Sequence, residues 1–480
     1  MYIKGNKTNG LTPIVSNWME QVMDDEGLIK DLIDTYGSPV NLHHLDTFEK
    51  NIEDFRDVFE SYDLNYQIYY ARKANKSKSL VKKALASGIG VDTASFRELE
   101  QSLQLGGTGQ SLVLTSAIKT REQFVKAIIA GVPVVIDNDD ECQLANEIAT
   151  ELGKTAVVGI RISGFEVEGE KLYSRFGFDI SEVQQFIDKY IGVGKKYEQL
   201  DISGLHFHLD GYSTKQRGKS LSDCIHLANE LDENDHNISF IDIGGGILIN
   251  YLESEREWTE FDKKLKKQVA TGEGNLTFSN NGLGYELING KVERSLKTYP
   301  YFNKLNGADF LREVLEFRDP RNNETNASRL KANNYQIRIE PGRSLLKQVG
   351  MTVARVAHRK KDAKGQWLVG LEMNMSQMMS SSEDFLLDPY LIYTDNNSED
   401  AEVEVFFTGA YCLERDVLLK RKISLPRLPQ IGDHVAFVNT AGYMMHFFET
   451  EAHLFNLSAN LSFSDSVNLS VSDFIDDEKL

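Results

Sequence analysis

Between about residues 65 and 340 the chain alternates short apolar runs with longer amphipathic stretches. The short runs, at 67–71, 90–92, 111–114, 134–136, 156–162, 204–208, 239–243 and 336–340, have the length and composition of strands. The longer ones, such as 78–86, 96–105, 121–129 and 142–151, carry a helical period. About eight strands separated by helices predict a parallel (β/α)8 TIM-like barrel closed on itself. After Arg343 the rhythm changes: 351–359, 366–371, 402–408 and 434–439 are β-rich and joined by turns, which predicts an antiparallel β domain. The first 45 residues do not follow the barrel repeat and are expected to join that β domain. The expected division is an N-terminal segment over 1–45, a barrel over 46–345 and a β domain over 346–480. From 251 to about 326 runs a charged and polar stretch, too long for an ordinary strand-to-helix connection. It predicts an elaborated active-site loop or subdomain.

Composition narrows the partners. Of the 480 residues 41% are hydrophobic and 26% charged, an ordinary globular balance for a chain long enough to hold two domains. A formal charge of −19 disfavours nucleic acid and anionic membrane as partners, because both ask for a basic surface. The three cysteines, Cys142, Cys224 and Cys412, are too few and too far apart for a disulfide framework or a cysteine metal site. The opening MYIKGNKTNG has no apolar segment of a secretory leader, and the longest apolar run, near 127–136, contains Gly131 and Pro133 and cannot span a bilayer. The expectation is a soluble cytoplasmic protein.

Four features carry chemistry. Lys73 follows the first apolar run, at the end of a strand where barrels collect their reactive groups. Desolvation there can lower its pKa, as Schiff-base formation requires, although a solvated flank is the commoner use of a strand-end lysine. In Asp242-Ile243-Gly244-Gly245-Gly246, three glycines after a strand let backbone N–H groups approach a phosphate, or else make a tight turn. Glu340-Pro341-Gly342-Arg343 sets a carboxylate at a strand end and a guanidinium across a turn, suited to a heterocyclic nitrogen and a phosphate or to a local salt bridge. In Gly204-Leu205-His206-Phe207-His208 the two histidines share a strand face. Metal binding would need more ligands than the sequence supplies; the other uses are a core group or a flat ring against an aromatic cofactor.

Taken in order, the strand-end lysine, the histidine strand, the triple glycine and Glu-Pro-Gly-Arg resemble the fold-type III pyridoxal-phosphate decarboxylases. This is the ornithine, arginine and diaminopimelate decarboxylase group, with its alanine-racemase-like barrel. The resemblance runs from about Gly37 to Asn456. It includes Asp92 in Val91-Asp92-Thr93-Ala94-Ser95, Glu98, Arg161-Ile162, Arg175-Phe176-Gly177, Cys412 with Asp416, Gly432-Asp433 and Ala441-Gly442-Tyr443. It implies pyridoxal 5'-phosphate as cofactor, held as a Schiff base on Lys73, with His208 stacked on its ring and Glu340 paired with its pyridine nitrogen. Gly244, Gly245, Gly246, Arg343 and Tyr443 would serve the phosphate, with Asp92, Arg161 and Gly342 also counted in the cofactor site. Cys412 would cross the interface of a homodimer with shared active sites and return a proton to the α-carbon. A carboxylate at Glu340 favours the protonated pyridinium and hence decarboxylation. The alternatives are a pyridoxal-phosphate racemase or epimerase, an inactive homologue acting as a binding protein, and a metal-dependent barrel hydrolase using His206 and His208.

The chain departs from that family where substrate is chosen. Asp210-Gly211 stands where Gly-Ser is usual, Leu413 followed by Glu414 where an acidic residue is usual, and Met373 near another acidic position. The nearest match to a carboxylate-gripping Arg-Pro pair is Asp388-Pro389. Asp388, Leu413 and Glu414 are therefore the candidate substrate residues. The lost charges argue against simple diamines and diaminopimelate as the chemistry served. With the long 251–326 stretch they suggest a larger substrate, an amino acid joined to another acid or a carrier, as in siderophore and other specialised pathways.

Overall fold

The computed structural model describes residues 2–6, 9–380, 385–394, 401–466 and 468–480. Eight parallel strands close a ring: β1 (Tyr66–Ala71), β2 (Gly90–Thr93), β3 (Leu112–Leu114), β4 (Val134–Ile136), β5 (Ala156–Ser163), β6 (Leu200–His206), β7 (Phe240–Asp242) and β8 (Gln336–Ile339). Each pairs with the next, and β8 returns to β1 with Ile337 opposite Tyr66. Ile68, Tyr70, Val91, Leu112, Leu114, Ile136, Val158, Ile160, Leu205, Ile241 and Ile339 are buried in one core with the surrounding helices. Burial on both faces is why these strands read as short continuous apolar runs rather than alternations. The helix Arg121–Ala130 shows the local logic. Thr120 and Gln123 form a capping box at its start, Phe124, Ala127 and Ile128 face the core, and Gly131 ends it in the left-handed region at φ 67°.

Three strands stop short of the apolar runs that predicted them. β6 ends at His206, β7 at Asp242 and β8 at Ile339. His208, Gly244 and Glu340 thus stand past the C-terminal ends of their strands, although Glu340 N–H still donates to Gly244 O at 3.0 Å. Gly244 has φ 65°, a conformation that a strand cannot hold and that glycine adopts without penalty.

Ten further strands among the described residues build a second sheet around Gly350–Lys361, which pairs antiparallel with Trp367–Leu371, His434–Val438 and Val40–His44. Two of its pairings are parallel, Trp367–Leu371 with Val403–Thr408 and Val40–His44 with Ala459–Phe463. The helices Asn17–Asp24 and Glu26–Tyr36 pack Trp18, Met19, Val22, Ile29 and Leu32 on this sheet, against Leu42, Met351, Val353 and Leu461.

The long 251–326 stretch divides in two. Tyr251, Leu252, Phe261, Leu265, Leu283, Tyr299 and Tyr301 join the β-domain core with Val356, Val369, Leu371 and Ile423. The helix Gly307–Glu316 instead buries Phe310, Leu311, Val314 and Leu315 in the barrel core. No helix among the described residues is long and apolar enough to cross a membrane.

Candidate active site

Lys73 sits in the single 3-10 turn Arg72–Ala74 that follows β1, and its Nζ donates to Asp92 Oδ2 on β2 at 3.0 Å. Asp92 is fully buried and also accepts from the Thr115 hydroxyl. Burial alone would lower the lysine's pKa, as the sequence suggested. Here Asp92 and Glu340 outweigh it and hold Lys73 above the usual lysine range. That expectation is corrected: the resting amine is an oriented ammonium, because a carboxylate 19 positions further along the chain lies beside it.

Glu340 closes the inner end. Its Oε1 lies 3.2 Å from His206 Nε2, within ion-pair range but off the line of a hydrogen bond, and both residues are buried. Burial pushes a carboxylic acid up, but His206 and Lys73 prevail and bring Glu340 down to about 2. Asp242 completes a buried trio with His206 and Glu340, ligand atoms within 4.8 Å of one another. Burial, and then the charge of Glu340, raise its pKa well above the carboxylate range. One of its oxygens accepts from Gly244 N–H at 2.8 Å and so shapes the start of the glycine loop.

The glycine loop makes the opposite wall. Gly245 N–H donates to His208 Nδ1 at 3.2 Å, which leaves that ring's other nitrogen as the N–H. Burial, then Lys73 and Arg217, lower the pKa of His208 well below its ordinary value, so it is neutral. Among the described residues, the N–H groups of Gly246 and Ile247 donate to no protein acceptor. A Cβ at Gly245 would come within 2.5 Å of the Glu340 carbonyl and one at Gly342 within 2.7 Å of the Tyr443 hydroxyl, so no side chain fits at either. Arg343 donates to Gly442 O at 2.9 Å and Tyr251 Oη at 3.3 Å, and its guanidinium lies 4.3 Å from the centre of the Tyr299 ring. Burial disfavours its charge, but these tyrosines more than compensate and hold its pKa above the usual range. Tyr443, at φ 65°, is held in the left-handed region by an N–H bond to Ala74 O at 2.9 Å, strain placed at the site itself.

Lys73, His208, Gly245, Gly246, Glu340, Gly342, Arg343 and Tyr443 line one cavity of about 230 Å³, with Tyr212 and Ser344. Its groups suit a flat, anion-bearing heterocycle. Amine, carboxylate and imidazole stand at one end; at the other lie a guanidinium, free backbone N–H groups and the buried, unpartnered Ser344 hydroxyl. Asp92 supports Lys73 from below. Arg161 stands beside the site, 3.8 Å from Asp137 and stacked on Phe176 at 4.1 Å.

Four predicted residues lie elsewhere in the chain. Cys412, Leu413 and Glu414 are exposed on a β-domain loop pinned by Asp416, which accepts from Met375 N at 2.8 Å and Tyr411 N at 2.7 Å. Asp388 is a structural residue: fully buried, it pairs with Arg421 at 2.9 Å and Lys4 at 3.2 Å and accepts from Leu11 N at 2.7 Å. Its assignment to substrate is corrected on that geometry. Asp388→Asn is expected to lower stability by about 3–5 kcal/mol, the scale of a broken buried ion pair, seen as a lower thermal midpoint with KM unchanged. Tyr212, Tyr251, Tyr299 and Arg217 were not picked out from the sequence. The long insertion, which delivers Tyr251 and Tyr299, was the one signal pointing towards them.

Residues 45–275 match the family model of the pyridoxal-dependent decarboxylases, pyridoxal binding domain. The chain is 29% identical over 451 residues to the uncharacterized protein y4yA of Sinorhizobium fredii, covering 93% of this chain and 92% of that one. It is 22% identical over 424 residues to the diaminopimelate decarboxylase of Bacillus subtilis, covering 86% and 83%. Among solved structures, diaminopimelate decarboxylase from M. jannaschii shares the fold with a TM-score of 0.69 at 18% identity, over 93% of this chain and 91% of that one.

Proposed function

We propose, from the premise that this chain belongs to the fold-type III pyridoxal-phosphate-dependent amino-acid decarboxylases and takes pyridoxal 5'-phosphate as its cofactor, that it decarboxylates an α-amino acid or amino-acid conjugate anchored through Lys73. The observation that carries this reading is the buried Glu340 carboxylate, 3.2 Å from His206 Nε2, at the inner end of the cavity that Lys73 and Arg343 share. When bound, the cofactor supplies an electron sink for the pair of electrons that CO₂ leaves behind. Lys73 would bind its carbonyl carbon, and Asp92 orients that amine. Glu340 would hold the proton on the ring nitrogen, as an opposite charge stabilises a cation beside it. Neutral His208 would offer a flat face, and Arg343, Tyr443, Ser344 and the free N–H groups of Gly246 and Ile247 would take the phosphate.

The substrate class follows from the neighbouring space. At His208, Leu209 and Asp210 the cavity adjoins a second hollow of about 240 Å³, lined also by Ser163, Phe165, Tyr173, Ser174 and Gln216. Among the described residues, no cation lines this hollow to grip a distal carboxylate. Its hydroxyl and amide groups suit the neutral polar part of a conjugated amino acid better than the charged end of diaminopimelate. CO₂ release measured on a panel of free and acyl-extended amino acids tests this. Turnover of free lysine, ornithine or diaminopimelate at an ordinary enzymatic rate would sink the conjugate reading.

Cys412 reaches the chemistry only across a homodimer, and the surface supports one. Leu413, Phe447, Phe448, Leu454, Phe455 and Leu457 are exposed large apolar residues, and Phe447 packs edge-on against the cavity residue Tyr443, ring centres 5.8 Å apart. Apolar surface of this kind, continuous with a site, is what a second copy of the chain would cover. Cys412→Ala and Lys73→Ala proteins are each expected to be nearly inactive. Mixed and allowed to exchange, they should regain about a quarter of wild-type activity, because each mixed dimer holds one intact site. No recovery on mixing, with exchange verified by mass, would remove Cys412 from the shared site.

A further inference from the structure

Arg217 lies at the start of the helix Thr214–Glu233, with its guanidinium buried behind the glycine loop and 1% of the residue exposed. Its hydrogen bonds run only to backbone carbonyls: Ile243 at 3.1 Å, Gly211 at 3.3 Å and Gly246 at 3.5 Å. Its Nε has no partner, and no carboxylate pairs with it among the described residues. Burial lowers its pKa to about 10, so it is still charged at neutral pH. A buried cation without a counter-ion is costly, and proteins keep one only where something compensates it.

The peptides it holds show where the compensation comes from. In a trans peptide the carbonyl and the N–H point in opposite directions. Gly211–Tyr212 and Gly246–Ile247 are both trans, the one cis bond among the described residues being Ser38–Pro39. With both carbonyls turned to the guanidinium, the N–H groups of Tyr212 and Ile247 are turned away from it. All four residues line the cofactor cavity. Neither N–H donates to a protein acceptor among the described residues. A Cβ at Gly246 would stand 2.6 Å from Arg217 Nη2, so the missing side chain is what lets the guanidinium come this close.

We infer that Arg217 is a positioning residue for the cofactor phosphate, acting through the Gly211–Tyr212 and Gly246–Ile247 peptides and finding its counter-charge in the phosphate dianion on their far side. The inference rests on the pyridoxal-phosphate reading above. It separates Arg217 from Arg343, which lines the cavity directly.

The test compares apoprotein of wild type, Arg217→Gln and Arg217→Lys. Each is titrated with pyridoxal phosphate and, separately, with pyridoxal, which lacks the phosphate; visible absorbance reads uptake. Arg217→Gln should weaken pyridoxal phosphate roughly 10- to 100-fold, the scale of one charged hydrogen-bonding group, and leave pyridoxal within about twofold. Arg217→Lys should fall between the two, since it keeps the charge but not the fork that reaches both peptides. The phosphorus resonance of bound pyridoxal phosphate should stay that of the dianion across neutral pH in wild type and titrate in Arg217→Gln. Equal weakening of both ligands would mark a merely structural arginine, and an unchanged preference for the phosphate would overturn the inference outright. If Arg217→Gln does not fold, Arg217→Lys decides: a preference equal to wild type overturns the inference, and a reduced one with pyridoxal unaffected supports it. Wild-type apoprotein that takes up neither ligand would instead overturn the cofactor reading, and this inference with it.

Discussion

Lys73→Ala is expected to reduce decarboxylation by roughly 10⁴-fold or more, the range in which removal of a covalently acting group falls. Among the described residues Lys73 is the sole lysine lining the cavity, and its amine is aimed by a fully buried carboxylate. Two measurements separate lost chemistry from lost structure. Borohydride treatment should fix pyridoxal covalently to wild type, seen as added mass on the peptide that carries Lys73, and fix none to Lys73→Ala. Thermal unfolding of the two apoproteins shows whether Lys73→Ala is folded at the assay temperature; its midpoint should be lower, because Asp92 is left buried without its cation. Asp92→Asn should give a milder defect with a distinct signature. With its closest counter-charge gone, the Lys73 amine loses protons at lower pH, and cofactor uptake becomes less dependent on alkaline pH. A Lys73→Ala protein that still retains pyridoxal after borohydride would place the anchor elsewhere and dismantle the site as assembled here.

The barrel was legible because parallel strands buried on both faces leave short apolar runs, and all eight runs correspond to strands. At β6, β7 and β8 the apolar runs extend one or two residues beyond the strands, since hydrophobicity continues past the last paired residue. In the site, Lys73, His208, Gly245, Gly246, Glu340, Gly342, Arg343 and Tyr443 converge on one cavity because their order along the chain is the order of the barrel strands and the loop that returns from the β domain. What sequence could not show is pairing at a distance. Asp388-Pro389 looked like a substrate-gripping turn, whereas Arg421, 33 positions on, reaches back to neutralise Asp388 inside the β domain. The charge of Lys73 has the same origin, in Asp92 and Glu340 brought to it from elsewhere in the chain. Tyr251 and Tyr299 lie far apart in an insertion without a recognisable pattern, and only folding sets both beside Arg343.

Glu340→Gln is the second large effect, and it tests the reaction rather than the anchor. The substitution keeps shape and hydrogen-bonding capacity but removes the negative charge that His206 and Lys73 hold in the ionised form down to about 2. At working pH the wild-type carboxylate is therefore always present, and its own titration sets no acid limb to the activity. A neutral amide in its place no longer favours a proton on the cofactor's ring nitrogen, so kcat is expected to fall by roughly 10²- to 10⁴-fold, the scale of a charge or proton mispositioned in a transition state. KM and the affinity for pyridoxal phosphate should stay within a few-fold, because Lys73, Arg343 and the glycine loop are untouched. Measuring α-proton exchange beside CO₂ release sharpens the result. A weaker electron sink penalises loss of CO₂ more than it penalises exchange, so the ratio of exchange to CO₂ release should rise in Glu340→Gln. A variant that keeps wild-type kcat would show that ring protonation does not drive the reaction, and the argument from Glu340 to decarboxylation would lose its footing even with the cofactor in place.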